Sequence, residues 1–265
     1  RVERIYLLIP LMVKAASIPD AVLSLPKVEV VCDNRVSNPI GKWERQLYYQ
    51  QMTIPRLLKR TDANIDFSPF HLPPLHTRGV PVVTTIHDLC VLGQPVTSAG
   101  TLKHREIHRL QIQLARFKSK QLVAVSEFTA DVLRNYLSSG SPPVSVAPNG
   151  LKMESSPPGE ACRASPSWSR YALWVGYPGY RKNPELAFGT LARLRETCPK
   201  LELRVVCPAR HRGPLAAIAE DQGIEGFTHV HSSVSNADLA SMYRNAQFCI
   251  VCSRCEGFGY PVLEA

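Results

Sequence analysis

The sequence has no uninterrupted apolar run of the ~20 residues that a membrane-spanning helix needs. Its best candidate, from Ile5 to Ala16, is interrupted by Pro10 and Lys14. The same stretch lacks the start methionine and the small-residue cleavage site that would mark a signal peptide. We therefore expect a cytoplasmic protein.

The eight cysteines lack the dense spacing of a disulfide framework in a small secreted domain. Cys249, Cys252 and Cys255 are spaced closely enough to be weighed as metal ligands. No fourth ligand lies near them in the sequence, and the first two fall within an apolar strand pattern. We expect packing thiols here and no metal ion.

Acidic residues are fewer than basic ones, with 22 Asp and Glu against 31 Lys and Arg and a net charge of +9. Most of the excess lies in residues 1–150, which hold 18 basic and 11 acidic residues. A basic half indicates an anionic partner. We expect a membrane surface or a phosphorylated acceptor, and no nucleic acid.

Short β-branched runs alternate with helical stretches, a pattern typical of α/β proteins with parallel sheets. The Ser- and Pro-rich stretch 152–169 predicts a linker between domains 1–151 and 170–265. The predicted strands cover residues 28–32, 65–68, 80–86, 121–125, 173–176, 203–207, 228–231 and 248–252. Helices are predicted over 43–59, 102–118 and 127–136, and after the caps Asn183 and Ser235.

The predicted helix 102–118 is amphipathic. Ile107, Leu110, Leu114 and Phe117 share one face by their spacing. The other face carries cations and two histidines, namely Lys103, His104, Arg105, His108, Arg109, Arg116 and Lys118. This basic face is either an ordinary solvated surface or a patch that meets anionic lipid.

Residues 256–264 read Glu-Gly-Phe-Gly-Tyr-Pro-Val-Leu-Glu and follow an apolar strand. A Gly-rich turn that opens a helix presents backbone N–H groups to phosphate and sugar oxygens. Glu264 lies about two helical turns beyond Glu256, so both carboxylates can face one ligand. Alternatively, the two glutamates only cap a helix.

Two further strand ends carry polar groups. Arg181 and Lys182 follow a Gly- and Pro-rich loop and precede a helix, an arrangement that suits a diphosphate ligand, although a surface turn with two solvated cations is the commoner interpretation of such a pair taken alone. His87 and Asp88 end a buried strand, where polar side chains of α/β sheets point towards ligands. His87 can donate to a sugar hydroxyl or a phosphate oxygen, or it is a structural histidine.

From Trp43 to Ala265, the order of these motifs resembles family-4 retaining glycosyltransferases of the GT-B fold. The segment 256–264 resembles their Glu-x7-Glu motif, and Thr-Ile-His-Asp-Leu at 85–89 is similar to their mannosyltransferase-like members. The resemblance implies two Rossmann-like domains that face each other across a cleft. It also implies a fragment that lacks both ends, with an incomplete C-terminal domain.

The resemblance implies transfer of a hexosyl group, with mannose favoured, from a nucleoside diphosphate sugar to a hydroxyl of a glycan or lipid-linked glycan. GDP-mannose is the favoured donor and a UDP-sugar the alternative; no cofactor or metal is expected. The implied roles are catalytic for Glu256 and His87, diphosphate-binding for Arg181, Lys182, Phe258 and Gly259, ribose-binding for Glu264, base-binding for Ser233, Val234 and Ser235, and acceptor-binding for Asp88. Some relatives carry another arginine where this chain has Tyr177, so diphosphate binding would depend more heavily on Arg181.

Two other functions fit parts of the sequence. A nucleotide-sugar 2-epimerase of the GT-B fold would share the nucleotide site but needs acid and base carboxylates that we cannot place. A non-catalytic domain would bind an anionic surface through its basic half. For the transferase we expect a cytoplasmic enzyme of polysaccharide biosynthesis in peripheral contact with the inner face of the membrane.

Overall fold

The computed structural model describes residues 3–10, 24–33, 47–150 and 171–265. The predicted linker 152–169 lies outside the described residues, as does the start of the predicted helix 43–59. The chain divides into two compact units. Unit 1 comprises residues 1–92 and 96–148, and unit 2 comprises residues 93–95 and 149–265.

The described residues of unit 1 form two parallel sheets. In the first, β1 (Ile5–Pro10) pairs with β2 (Val28–Asp33). The second has the strand order β3-β4-β5-β6, formed by Asp66–Ser68, Val82–Ile86, Ser119–Ala124 and Val144–Val146. Its helices are α1 (Ile54–Leu58), which follows a π-helical turn, α2 (Ala99–Lys118) and α3 (Glu127–Tyr136).

The described residues of unit 2 form one parallel sheet of four strands, β7 to β10, in the spatial order β10-β7-β8-β9. In chain order, β7 to β10 are Tyr171–Val175, Glu202–Cys207, Thr228–Ser232 and Phe248–Cys249. The helices α4 to α7 are Pro184–Thr197, Arg212–Asp221, Asn236–Asn245 and Tyr260–Glu264. Because β7 and β10 are parallel neighbours, the loops that follow them start side by side at the carboxyl ends of the strands.

The central strand β7 is buried on both faces, as expected in a parallel sheet. Trp174 packs edge-on against Phe188 of α4, with 5.9 Å between ring centroids. On the opposite face, Tyr171 and Leu173 pack with Tyr243 of α6. A Cβ atom on Gly176 would lie 2.9 Å from the Trp174 ring, so the chain can turn here only with glycine.

The predicted α/β architecture with parallel sheets is confirmed in both units. Three elements, β1, β6 and α5, were not predicted from the sequence. The predicted strand 248–252 is too long, because β10 covers only Phe248–Cys249. After Cys249 the chain stays next to β7, because the Ile250 N–H donates to the Leu173 carbonyl at 2.9 Å.

Helix α2 packs through a different face from the one that its apolar spacing predicts. The residues it buries are His108, Gln111, Ile112 and Ala115. Ile112 and Ala115 join a core that includes Ile86 of β4, whereas Leu110 and Phe117 are 59% and 72% exposed. Of the four apolar residues with the predicted spacing, Leu110 and Phe117 are exposed, and Ile107 and Leu114 are half-buried.

No helix among the described residues combines the length and apolarity needed to cross a membrane. Within the same ranges, no group of three or more His, Cys, Asp and Glu side chains is arranged to hold a metal ion. Cys249 and Cys252 are free thiols whose pKa values are raised by burial. Cys255 is disulfide-bonded, so the expectation of a packing thiol is wrong at this position.

Candidate active site

The structure brings Arg181, Lys182 and Glu256 together at the edge of the unit 2 sheet. Lys182 Nζ lies 2.5 Å from Glu256 Oε1, and Arg181 Nη1 lies 3.4 Å from Glu256 Oε2. The Lys182 side chain is only 10% exposed and that of Glu256 21%. Two cations therefore converge on one carboxylate in a largely buried position, and we call these three residues the cation–carboxylate cluster.

Backbone and side-chain bonds join the loops that carry this cluster. The Arg254 N–H donates to the Arg181 carbonyl at 2.8 Å, and Arg254 Nη2 donates to Asn183 Oδ1 at 3.2 Å. Asn183 has a left-handed backbone and makes no side-chain cap bond. Asn183 thus occupies the predicted N-cap position of α4, but its side chain is bound by Arg254 and makes no capping bond.

The Glu256 carboxyl is held in its ionised form. Burial alone would raise its pKa. Hydrogen bonds from Lys182 and Ser253, together with the charges of Lys182 and Arg181, outweigh burial and lower the pKa below its ordinary value. At neutral pH the cluster thus contains one carboxylate between two cations, and an anionic ligand can compete with Glu256 for them.

Glu264, the second glutamate of the motif, is oriented by a residue that the sequence analysis missed. The Tyr243 hydroxyl donates to Glu264 Oε2 at 3.0 Å. Burial, reinforced by the charge and hydrogen bond of Glu264, raises the Tyr243 pKa far above its ordinary value. Tyr243 therefore stays protonated, and Glu264 has its other oxygen for a hydroxyl-bearing ligand.

Phe258 and Gly259 lie between the two glutamates. Gly259 has φ of 85°, a left-handed conformation in which a side chain would be strained, and α7 starts directly after it. The Val262 N–H donates back to the Gly259 carbonyl at 3.0 Å, and the Phe258 ring packs against Tyr260. The segment is a tight turn into a short helix, as its glycines predict.

Residues Ser233 to Ser235, predicted to contact the nucleotide base, form the turn between β9 and α6. Ser233 has a left-handed backbone with φ of 61°. Ser235 Oγ accepts from the Asp238 N–H at 3.1 Å and caps α6, while Val234 is half-buried between the serines. This turn follows β9, the edge strand opposite β10, so one strand, β8, lies between β9 and the strand β7 that leads to Arg181 and Lys182.

In unit 1, His87 follows β4 as predicted, but its ring nitrogen is already engaged. Nε2 lies 2.8 Å from the Pro69 carbonyl oxygen. A carbonyl only accepts, so Nε2 carries the proton and Nδ1 of the neutral ring is an acceptor. The expected donation to a ligand would therefore need a protonated ring. Asp88 Oδ1 accepts from the Cys90 N–H at 3.0 Å and fixes the same turn.

Two histidines in the same region, the half-buried His71 and the buried His108, were also missed. The rings of His71 and His108 are 4.7 Å apart between centroids. Burial, with the His108 charge as a smaller cause, lowers the His71 pKa to about 4, and burial lowers that of His108. Asp88 opposes both shifts. Both rings are thus neutral at pH 7, and no sequence spacing links a loop residue to a residue of α2.

The chain matches two family models that together cover most of its length. Residues 16–155 match "Glycosyltransferase Family 4", and residues 163–265 match "Glycosyl transferases group 1". The first match alone covers more than half of the chain. The two matches are consecutive, and each covers most of one structural unit.

Curated relatives match the chain over part of its length. A D-inositol 3-phosphate glycosyltransferase of Nocardiopsis dassonvillei is 26% identical over 202 residues, which cover 71% of this chain and 47% of the relative. The enzyme of the same name from Segniliparus rotundus is 28% identical over 199 residues, or 71% of this chain and 44% of the relative. The chain therefore spans less than half the length of these two relatives.

Solved structures share the fold at low sequence identity. Sucrose-phosphate synthase from Thermosynechococcus elongatus aligns with a TM-score of 0.66 at 17% identity, covering 91% of this chain and 63% of that one. WaaG, a glycosyltransferase involved in lipopolysaccharide biosynthesis, aligns with a TM-score of 0.63 at 18% identity, covering 91% and 66%. The predicted GT-B fold is confirmed, and the chain belongs to glycosyltransferase family 4.

Proposed function

We propose that the protein is a retaining glycosyltransferase that moves a hexosyl group from a nucleoside diphosphate sugar to a hydroxyl group of a glycan or lipid-linked glycan. The cation–carboxylate cluster is the observation that carries this proposal. Arg181 and Lys182 form a fixed pair of cations at the carboxyl end of β7, beside a carboxylate that a diphosphate would displace. Family membership supports the same reaction class.

The cations would act on the leaving group. Breaking the bond between the anomeric carbon and the diphosphate places negative charge on the departing phosphate oxygen. Donors that are already positioned stabilise such charge without reorganising during the reaction. Lys182, which is nearly buried, would supply the less screened charge, and Arg181 would supply a forked pair of donors. Backbone N–H groups near Phe258 and Gly259 would add to the same stabilisation.

Glu256 would exchange partners when the donor binds. Its two oxygens face Lys182 and Arg181. A diphosphate carries more negative charge than one carboxylate, so it would take over these cations and release Glu256 towards the sugar. There the ionised carboxylate would stabilise positive charge at the anomeric carbon, while the leaving phosphate accepts the proton of the attacking hydroxyl. Glu264 would bind the ribose, and Ser233 to Ser235 the base.

For the donor we favour GDP-mannose, with a UDP-sugar as the alternative. The support is the similarity of residues 85–89 to mannosyltransferase-like members of the family. The relatives named for D-inositol 3-phosphate make a phosphorylated polyol a second class of acceptor beside a glycan. His87 and Asp88 are our candidates for contacts to sugar hydroxyls, with His87 Nδ1 as an acceptor.

Nucleotide-dependent thermal stabilisation tests the proposal. We expect nucleotides of one base among GDP, UDP, ADP and their common sugars to raise the melting temperature of the chain. A ligand at 100 times its dissociation constant adds about 2.7 kcal/mol to the free energy of unfolding. The corresponding nucleosides without phosphate serve as controls and should give much smaller shifts. Absence of a shift with every diphosphate would contradict the proposal.

We also propose that unit 1 contacts an anionic membrane surface through the exposed face of α2. This face presents Leu110 and Phe117 to solvent, and it carries the cations Lys103, Arg109 and Lys118. Exposed apolar side chains among cations are typical of helices that lie in the interface of anionic lipid. A lipid-linked acceptor would then be presented at the surface where unit 1 docks.

Co-sedimentation with vesicles tests this contact. We expect the protein to bind phosphatidylglycerol-containing vesicles and not pure phosphatidylcholine. Combined replacement of Leu110 and Phe117 by serine should weaken binding about tenfold or more, because two apolar side chains no longer enter the interface. Phe128→Ser removes a 54% exposed ring from α3 and is the matched control. Equal binding by the double variant and the wild type would refute the contact.

A further inference from the structure

Tyr177, in the loop after β7, makes an unusual contact with the cation–carboxylate cluster. Its hydroxyl oxygen accepts two hydrogen bonds from the same guanidinium, from Arg181 Nε at 3.1 Å and from Arg181 Nη2 at 2.6 Å. The remaining nitrogen of that guanidinium, Nη1, donates to Glu256 Oε2 at 3.4 Å. Tyr177 and Glu256 thus hold Arg181 from two sides and fix the plane of its fork.

The hydrogen-bonding capacity of a phenol determines which further bond the Tyr177 hydroxyl can make. A tyrosine hydroxyl has acceptor capacity and one proton to donate. Arg181 occupies the acceptor side with two charge-assisted bonds, so the proton must point elsewhere. Among the described residues no acceptor takes it, and the Tyr177 side chain is 36% exposed. The hydroxyl is therefore a donor polarised by a cation and open to a ligand.

The ring of Tyr177 is supported from the neighbouring strand. His211 follows β8, and its ring lies 6.0 Å from that of Tyr177 with a 32° tilt. Arg210 Nε donates to His211 Nε2 at 3.1 Å, which sets the orientation of the imidazole. Because β7 and β8 are parallel neighbours, both loops leave the same edge of the sheet. This support limits the positions that the Tyr177 hydroxyl can take.

We infer that Tyr177 is a ligand-binding and positioning residue of the diphosphate site. It orients the Arg181 guanidinium, and its hydroxyl donates a hydrogen bond to a diphosphate oxygen. The inference rests on the proposed function, which makes this cluster the diphosphate site, and it deepens that function by adding a binding residue. Where a relative with an arginine at this position would add a charge, this chain adds a neutral donor coupled to the charge of Arg181.

Calorimetric titration with inorganic pyrophosphate and with GDP, UDP and ADP tests the inference. Tyr177→Phe keeps the ring and removes the hydroxyl, and it should weaken pyrophosphate binding about tenfold, the effect of one hydrogen bond to a charged group. In the Arg181→Ala background the same change should have less than a threefold effect, because the hydroxyl has lost the group that orients it. A purely structural role would not produce this coupling.

Tyr180→Phe is the matched control. Tyr180 lies in the same loop, its ring stacks near Arg254, and no described residue bonds its hydroxyl. It should bind pyrophosphate like the wild type. Wild-type affinity in Tyr177→Phe, or equal losses in both backgrounds, would overturn the inference. If the wild type binds pyrophosphate but none of GDP, UDP and ADP, the proposed function fails while the inference on Tyr177 stands. Binding of none of these probes would refute both.

Discussion

Replacing Lys182 with alanine should lower the turnover of glycosyl transfer by about 10²–10³-fold, the usual effect of removing one fixed donor from a site of developing charge. Lys182 is the least exposed member of the cation–carboxylate cluster, and its ammonium lies 2.5 Å from Glu256. The low exposure of the site strengthens its field on a leaving diphosphate. Initial rates of acceptor-dependent release of nucleoside diphosphate by the complete protein measure this effect.

The Lys182→Ala variant should remain folded. Breaking a fully buried ion pair costs about 3–5 kcal/mol, but here Arg181 still faces Glu256 and both side chains keep some solvent contact. Lys200→Ala is the control, because it removes the same charge from an exposed turn in the same unit. Turnover within threefold of the wild type in a folded Lys182→Ala variant would contradict the role of this residue.

Replacing Glu256 with glutamine should reduce turnover by about 10²–10³-fold, but for a different reason. Glutamine preserves the shape and removes the charge that would stabilise the anomeric carbon in the transition state. This role needs the ionised carboxylate. Burial raises the pKa of Glu256, but its contacts with Lys182, Ser253 and Arg181 outweigh burial and lower it, so the ionised form is favoured. The kcat should therefore fall, and the KM for the donor should not rise.

Glu220→Gln is the control for this substitution, since it removes a carboxylate from the exposed surface of α5. Circular dichroism and the melting temperature of Glu256→Gln would establish that the variant is folded. A Glu256→Gln enzyme that keeps wild-type kcat would exclude a catalytic carboxylate at this position. An increase in donor KM with unchanged kcat would assign Glu256 to substrate binding alone.

The cluster could be predicted because each of its members carries a local signal. Arg181 and Lys182 stand between a Gly- and Pro-rich loop and a helix start, and Glu256 stands between a strand and a Gly-rich turn. The order of strands in an α/β sheet then places such loops at one edge. Sequence could not show that the three side chains bind one another, because that depends on β10 pairing beside β7.

Other site features depend on contacts that follow no spacing rule. Tyr243 reaches Glu264 because α6 packs on the face of β7 that Tyr171 and Leu173 line. His71 and His108 meet because a loop after β3 lies against α2. The buried face of α2 itself was mispredicted, since its apolar spacing describes a side that is only partly buried. Each of these features is determined by tertiary packing between segments that are far apart in the sequence.

Calorimetric titration of one nucleoside diphosphate against the wild type, Lys182→Ala and Glu256→Gln tests the central claim most directly. If these residues form the diphosphate site, only the loss of the lysine weakens binding. Affinity should fall at least tenfold in Lys182→Ala, because a cation that binds the ligand is lost. In Glu256→Gln it should equal or exceed that of the wild type, since Arg181 and Lys182 no longer pair with a carboxylate. Equal affinities in all three proteins would contradict the assignment.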